Sequence, residues 1–368
     1  MQSPIRFSSA KAEFYTTLNQ RVNEYFKSKN ISRTGNSEMV IKTIFMFLLY
    51  MIPYVLMITS VVTNIWWMFA LCCVMGLAIG GIGLSVMHDA NHGAYSRKPW
   101  VNNLLGLSLN LVGGNAFNWK VQHNVLHHTY TNIHDVDEDI SPRGVLRLSP
   151  HGEWKSFHRF QHLYAWFLYG LMTIVWVLVK DYVRIQKYQK DGLVKKQKTT
   201  IGTEWTILAL SKVVYVLYIF VIPAIVLSVT WWQVLLGFLV MHYIAGFILA
   251  IIFQPAHVID GTEYPLPDEN GKMDNSWAIH QLYTTTNFAK ENKWFSWYVG
   301  GLNYQVEHHL FPGICHVHYR KLSTIVEKTA KEFDLPYKAE PTFFSAIRGH
   351  ARLLKQLGMR PQVVAEHA

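Results

Sequence analysis

The chain has 368 residues, is 50% hydrophobic and 14% aromatic, and carries a formal net charge of +10. No Lys, Arg, Asp or Glu occurs over the 45 residues Thr43–Met87 or the 47 residues Val213–Ile259. A bilayer-spanning helix needs about 20 apolar residues, so each stretch holds a helical hairpin; an ordinary soluble globule, a disordered chain and a nucleic-acid binder are excluded despite the basic excess.

Residues 1–38 are mixed and basic and read as a cytoplasmic, partly helical arm; no apolar core with a cleavage site marks them for removal. The first span is expected at about 40–61 and the second at about 65–87, joined by Thr63-Asn64 with Trp66-Trp67 at the membrane–water interface. A further apolar run, Tyr164–Val179, has basic residues on both sides, Lys155 and Arg159 before it and Lys180, Arg184 and Lys187 after it. Two positive flanks suit a helix lying in the interface over 164–179 better than a crossing. The second hairpin follows, at about 206–228, kinked at Pro223, and about 233–253. Residues 318–357 alternate apolar and charged positions at helical spacing and read as soluble helices.

The fold expected is an all-α integral membrane protein. Four transmembrane helices form two hairpins under a helical cytosolic cap, in a membrane domain over 39–345 with a C-terminal tail over 346–368. The positive flanks place residues 1–40, 88–205 and 254–368 in the cytoplasm. The cysteines are an adjacent pair within a span, Cys72 and Cys73, and the distant Cys315; this is no disulfide framework and suits a reducing, cytosol-facing interior.

Histidine is abundant, 18 of 368, and its placement is more telling than its number. HDANH (88–92) directly follows the second span, HNVLHH spans 123–128, QPAH ends at His257 after the fourth span, and QVEHHLFP runs from Gln305. Residues four apart share a helix face, so His88/His92 and His123/His127 can each converge on one ion, whereas adjacent His127 and His128 point about 100° apart and suit two. Imidazole binds iron, zinc, copper or nickel. Eight histidines exceed what one zinc needs and are enough for two metals. All four groups fall on one side of the membrane in the four-span arrangement.

These motifs, in this order around two hairpins, resemble the membrane-bound fatty acid desaturases, over about residues 40–345. The third motif begins with Gln305 rather than His, which is similar to the front-end desaturases, and in particular to bacterial linoleoyl-CoA desaturase-like proteins. The resemblance implies two iron ions, O2 as co-substrate and two external electrons, with His88, His92, His123, His127, His128, His257, His308 and His309 as ligands. Gln305 stands where many relatives have a ligating His, and Gln254 is a weaker candidate. Asp137 and Asp139 occupy the acidic positions that follow the family's second box. With Asp89 and Glu307 they are candidates to accept the second N–H of a ligating imidazole. No separate acid or base is expected, because an unactivated methylene has no acidic proton to abstract.

The implied substrate is an acyl-CoA or a phospholipid acyl chain, and the implied product carries a new cis double bond on the carboxyl side of an existing one. A fatty acid hydroxylase or ketolase on the same scaffold is the second reading. The HPGG haem motif of a fused cytochrome b5 is absent and 38 N-terminal residues are too few for that domain, so a separate ferredoxin or cytochrome b5 with its reductase is the expected donor. The site is expected to face the cytoplasm, from a bacterial inner membrane or, in a eukaryote, the endoplasmic reticulum. Histidines 134, 151, 158, 162, 242, 280, 316, 318, 350 and 367 fall outside the expected site, His242 as a core residue in mid-span.

Overall fold

The computed structural model describes residues 5–141 and 144–361; His367 and the end of the expected tail lie outside them. The main helices are α1 (Ala12–Lys29), α2 (Ser37–Ile58), α3 (Ile65–Asn91), α4 (Ser156–Lys190), α5 (Ile201–Val226), α6 (Trp231–His257), α7 (Gln305–Leu310), α8 (Tyr319–Glu332) and α9 (Phe343–Gly358). Five of them, α2 to α6, are long and apolar enough to cross a membrane. The four expected spans match α2, α3, α5 and α6 with shifted ends. α3 runs on in helical register past its charge-free core, through the first histidine motif to Asn91, and α6 reaches His257, still within the charge-free stretch that ends at Ile259.

The expected interfacial run 164–179 is the middle of α4, which is 35 residues long. Hydropathy falls at Lys180, but the helix continues because its next turns are amphipathic and bury Asp181, Ile185 and Tyr188. Asp181 pairs with Lys212 of α5 at 2.7 Å. α4 and α6 pack closely through glycine: a Cβ on Gly246 would lie 2.7 Å from the Gly170 carbonyl oxygen. On its other side α6 meets α3 in the same way, with a Cβ on Gly76 reaching 2.6 Å from the Met241 oxygen. Small residues allow such backbone approach where hydrophobic driving force between helices is weak.

The hairpin turns are capped locally. Asn64 accepts from the backbone N–H groups of Trp66 and Trp67, and Thr230 and Gln233 form a capping box at the start of α6. At the opposite ends, the last turns of α3 and α6 and the segments that follow them carry the histidines of the four motifs. The N-terminal arm contributes α1, whose Phe14, Leu18, Val22 and Phe26 recur every four residues and bury against α8 residues Leu322 and Val326. α9 runs across residue 345, the expected domain limit, and buries Ala346, His350 and Leu354. His350 bridges it to the Tyr169 hydroxyl of α4 at 2.7 Å and to the Val258 oxygen at 2.6 Å.

Candidate metal centre

The first motif sits at the end of α3, directly after a π-helical turn at Ile82–Val86. Gly93, at φ +74°, ends the helix one residue after His92. The second motif starts from a helix capped by Asn115 and lies in a seven-residue π stretch, Val121–His127. A π turn closes on the fifth residue rather than the fourth, so His128 comes up beside His123, Nε2 to Nε2 at 3.2 Å. His257 comes from the last turn of α6, and α7 delivers His308 and His309.

All eight imidazoles meet and all are buried or nearly so. Their nitrogens fall into two groups, each within 4.8 Å: His88, His92, His123 and His308 in one, and His127, His257 and His309 in the other. The α-helical spacing would put His123 and His127 on one ion, and their rings do stack at 5.3 Å with Asp139 completing a group of three, although His123 also joins the first group and His127 the second. His128 stands between the groups, its Nε2 2.9 Å from that of His308 and its ring stacked at 4.4 Å on His309.

The spacing fits ions. His123 Nε2 faces the Nε2 atoms of His88, His128 and His308 at 3.3, 3.2 and 3.4 Å. A neutral imidazole has one N–H, so proton sharing does not satisfy all of them. Two nitrogens bound at about 2.1 Å to one ion lie about 3.0 Å apart at a right angle and about 3.4 Å apart at the tetrahedral angle. Further, His92 Nε2, His257 Nε2 and His309 Nε2 are buried without a hydrogen-bond partner among the described residues. Burial holds His123, His128, His308 and His309 far below the usual imidazole range, so they are neutral with lone pairs free. For His127 burial acts the same way, but the charges of Asp137 and Asp139 overcome it and lift the group to about 9; a bound cation would displace that proton.

The opposite ring nitrogens are held in place. His127 Nδ1 meets the two Asp137 oxygens at 3.0 and 3.2 Å, and Asp139 at 3.5 Å. His309 Nδ1 meets Gln281 Oε1 at 2.8 Å, His308 Nδ1 the Tyr319 hydroxyl at 3.2 Å, and His257 Nδ1 the Thr284 carbonyl at 3.2 Å. Asp89 is 3.7 Å from His88 Nδ1, and its short contacts go to the His316 N–H groups at 2.8 and 3.1 Å. His316 in turn touches Lys42 Nζ at 2.6 Å. Glu307 meets no imidazole among the described residues; it accepts from Asn287 and Tyr337, each at 2.8 Å, and burial pushes it up to about 7.

Gln305 is fully buried, lies against His257, and neither end of its amide makes a hydrogen bond of good geometry among the described residues. Gln254 lines a cavity of about 90 Å³ together with His123, His127 and His257. The sequence offered no local signal for Gln281, Tyr319 or His316, whose contacts bridge distant segments. His280 and His242 are buried and hydrogen-bonded outside the cluster, to the Thr131 oxygen and to Tyr215 and Thr173.

Comparison with known proteins shows the family. A fatty acid desaturase profile matches residues 64–341. The chain is 37% identical to an sn-1 linoleoyl-lipid 6-desaturase of Synechocystis sp., covering 96% of this chain and 98% of that one. It is 35% identical to the sn-1 linoleoyl-lipid 6-desaturase of Arthrospira platensis, over 96% and 94% of the two chains. It is 38% identical to an acyl-lipid (8-3)-desaturase of Physcomitrium patens, over 97% of this chain and 74% of the relative. The chain belongs to the fatty acid desaturase family and is an oxidoreductase acting on lipid acyl chains.

Proposed function

We propose that this protein is a front-end acyl-lipid desaturase that places a cis double bond on the carboxyl side of an existing one in a linoleoyl-type chain. The relatives named for the 6 position, at 35–37% identity over nearly the whole chain, support the position and the lipid-linked substrate. The observation that carries the chemistry is the convergence of eight buried imidazoles with unpartnered or mutually facing Nε2 atoms. Two iron ions fit it: one held by His88, His92, His123 and His308, the other by His127, His257 and His309, with His128 between them and Gln305 beside the second. When bound, iron supplies the oxidising power, from O2 and two external electrons, that an unactivated methylene requires. The protein's own residues orient the imidazoles through Asp137, Gln281 and Tyr319. They keep water out by burial and present the acyl chain along the apolar wall of the adjoining cavity, Met172, Trp176, Leu249 and Phe253.

The membrane carries four crossings, α2, α3, α5 and α6, with α4 lying against the hairpins without crossing. Both ends of α4 hold one loop: Arg184, Lys187 and Tyr188 bind Glu138 at one end, and Gln161 binds the Arg147 backbone at the other. The ends of α3 and α6 also share the site, which requires an even number of crossings between them. The site then faces the cytoplasm, under a helical cap, from a bacterial inner membrane. Electrons arrive from a separate ferredoxin or cytochrome b5 with its reductase. The test is mass spectrometry of total fatty acids from a host supplied with a ferredoxin and its reductase and fed linoleic acid. A new double bond at carbon 6, absent with His308→Ala, is expected; a hydroxylated product instead would keep the metal site and overturn the reaction.

A further inference from the structure

The cavity of about 90 Å³ at the histidines is apolar on one side and charged on another. Met172, Trp176 and Lys180 are spaced four apart on α4 and all line it, so one face of that helix follows the cavity for about 12 Å. Met172 packs with Leu249 and Phe253 of α6, whereas Lys180 shares its end with Gln122, Asp139 and Gln254. Among the described residues Lys180 is the only Lys or Arg that lines the cavity, and its half-buried ammonium enters no hydrogen bond or ion pair. It lies 5.2 Å from the centre of the Trp176 ring. The carboxylates around it are committed elsewhere. Glu138 binds Arg184, Lys187 and Tyr188, and Asp181 takes Lys212 Nζ at 2.7 Å and Trp176 Nε1 at 2.9 Å. Asp139 accepts from Gln122 at 2.5 Å, receives Gln254 Nε2 on its carbonyl oxygen at 3.4 Å, and lies 3.5 Å from His127 Nδ1. An ammonium withdrawn from water without an anion is costly unless another oxygen reaches it, and the open space beside Lys180 is the cavity.

We propose that the Lys180 ammonium donates to the carbonyl oxygen of the acyl ester and so registers the chain from its carboxyl end. The proposal rests on the desaturase reading above and names the residue by which the enzyme counts carbons. An acyl chain carries polar atoms only at its carboxyl end, so an unpaired cation inside its cavity meets that end or nothing. For a double bond between carbons 6 and 7, five bonds separate carbon 6 from the carbonyl carbon. At about 1.2 Å per bond in an extended chain, the carbonyl lies about 6 Å from the carbon that loses hydrogen. The ester therefore enters the space that the histidines line, and a lysine on that wall reaches it where a surface cation does not. The neighbours of Lys180 on α4 fit a lipid-linked chain. Leu178 and Val179 are 59% and 50% exposed, an apolar edge from which the glycerol and headgroup extend toward lipid while the ester stays on the ammonium. A hydrogen bond from an ionised donor is about twice as strong as a neutral one, and the Trp176 ring steadies the ammonium from the side.

The test uses the full-length protein in membranes of an expressing host, supplied with oxygen, NADPH, a ferredoxin and its reductase. Two glycerolipids bearing the same 18-carbon diene are given together, one linked through an ester and one through an alkyl ether, which lacks the carbonyl oxygen. Desaturated products of each are measured by mass spectrometry; their ratio does not depend on how much protein is folded or loaded with iron. The wild type is expected to favour the ester several-fold. Lys180→Gln is expected to bring the ratio near one and to spread the new double bond to positions beside carbon 6, while Lys180→Arg, which keeps the charge, retains most of the ester preference. The same ester preference in wild type and Lys180→Gln overturns the proposal and leaves the desaturase reading standing, as does a wild type with no preference. If Lys180→Gln makes neither product, the arginine variant decides: retained ester preference supports the anchor, and loss of both products there too overturns it. A wild type that desaturates neither lipid removes the underlying acyl-lipid reading, and the anchor with it.

Discussion

The two nitrogen groups are built differently, although one stretch, His123–His128, feeds both. The first gathers four imidazoles under Trp119, which stacks on His123 at 4.4 Å. The second has three imidazoles, but each Nδ1 is anchored: His127 by a carboxylate, His309 by an amide and His257 by a backbone carbonyl. Ligand number and ligand orientation are separate means of holding an ion, and the two halves of this centre lean on different ones. The group with fewer imidazoles has the stronger supports and the spare amide of Gln305 nearby.

Removing the shared imidazole tests the comparison most severely. His128→Ala is expected to abolish desaturation and to lower the iron of the purified protein in both groups, as read by elemental analysis. Next in size is an asymmetry. His309→Ala leaves two imidazoles in the second group, while His92→Ala leaves three in the first, so the former is expected to lose more iron per protein. Equal losses would show that ligand number does not separate the halves. Asp137→Asn keeps the shape but removes the charge behind His127, and is expected to weaken metal binding about 10- to 100-fold, with the first group spared. A chelator titration that shows one weakened ion and one unaltered is the supporting result; two weakened ions would mean the groups act as one unit.

What the amino-acid pattern reveals and what it conceals follows from range. The apolar helices are legible because their charge-free runs are contiguous, and the histidines because metal-binding pairs repeat within five residues. The partition between groups is not legible, because it depends on the π winding of Val121–His127, and the helical spacing rule assumes an α pitch. α4 is legible only in part, because hydropathy registers its middle and misses Asp181–Lys190, which is held by single buried partners such as Lys212 and Glu138. Gln281 and Tyr319 are unremarkable in sequence; they matter because the fold brings them against imidazoles 28 and 11 residues away along the chain.

The smallest expected effect bears on His88 of the first group, where the support is indirect. Asp89 follows a ligand candidate in sequence, yet its carboxylate turns to His316, and the chain continues to Lys42 on α2, which is 1% exposed and also lies over the Trp297 ring at 5.2 Å. Lys42–His316–Asp89 therefore ties the last turn of α3 to α2 and to the loop after α7, and acts on His88 only by fixing the backbone that bears it. His316→Ala separates a buried ammonium from a buried carboxylate, so some loss of stability is expected along with the loosened turn. His316→Gln restores a neutral bridge of similar reach. If the chain of contacts positions His88, the alanine variant loses a few-fold in iron affinity at the first group and the glutamine variant recovers most of it. If the triad serves stability alone, thermal stability falls in the alanine variant while the iron affinity of the folded fraction stays at the wild-type value.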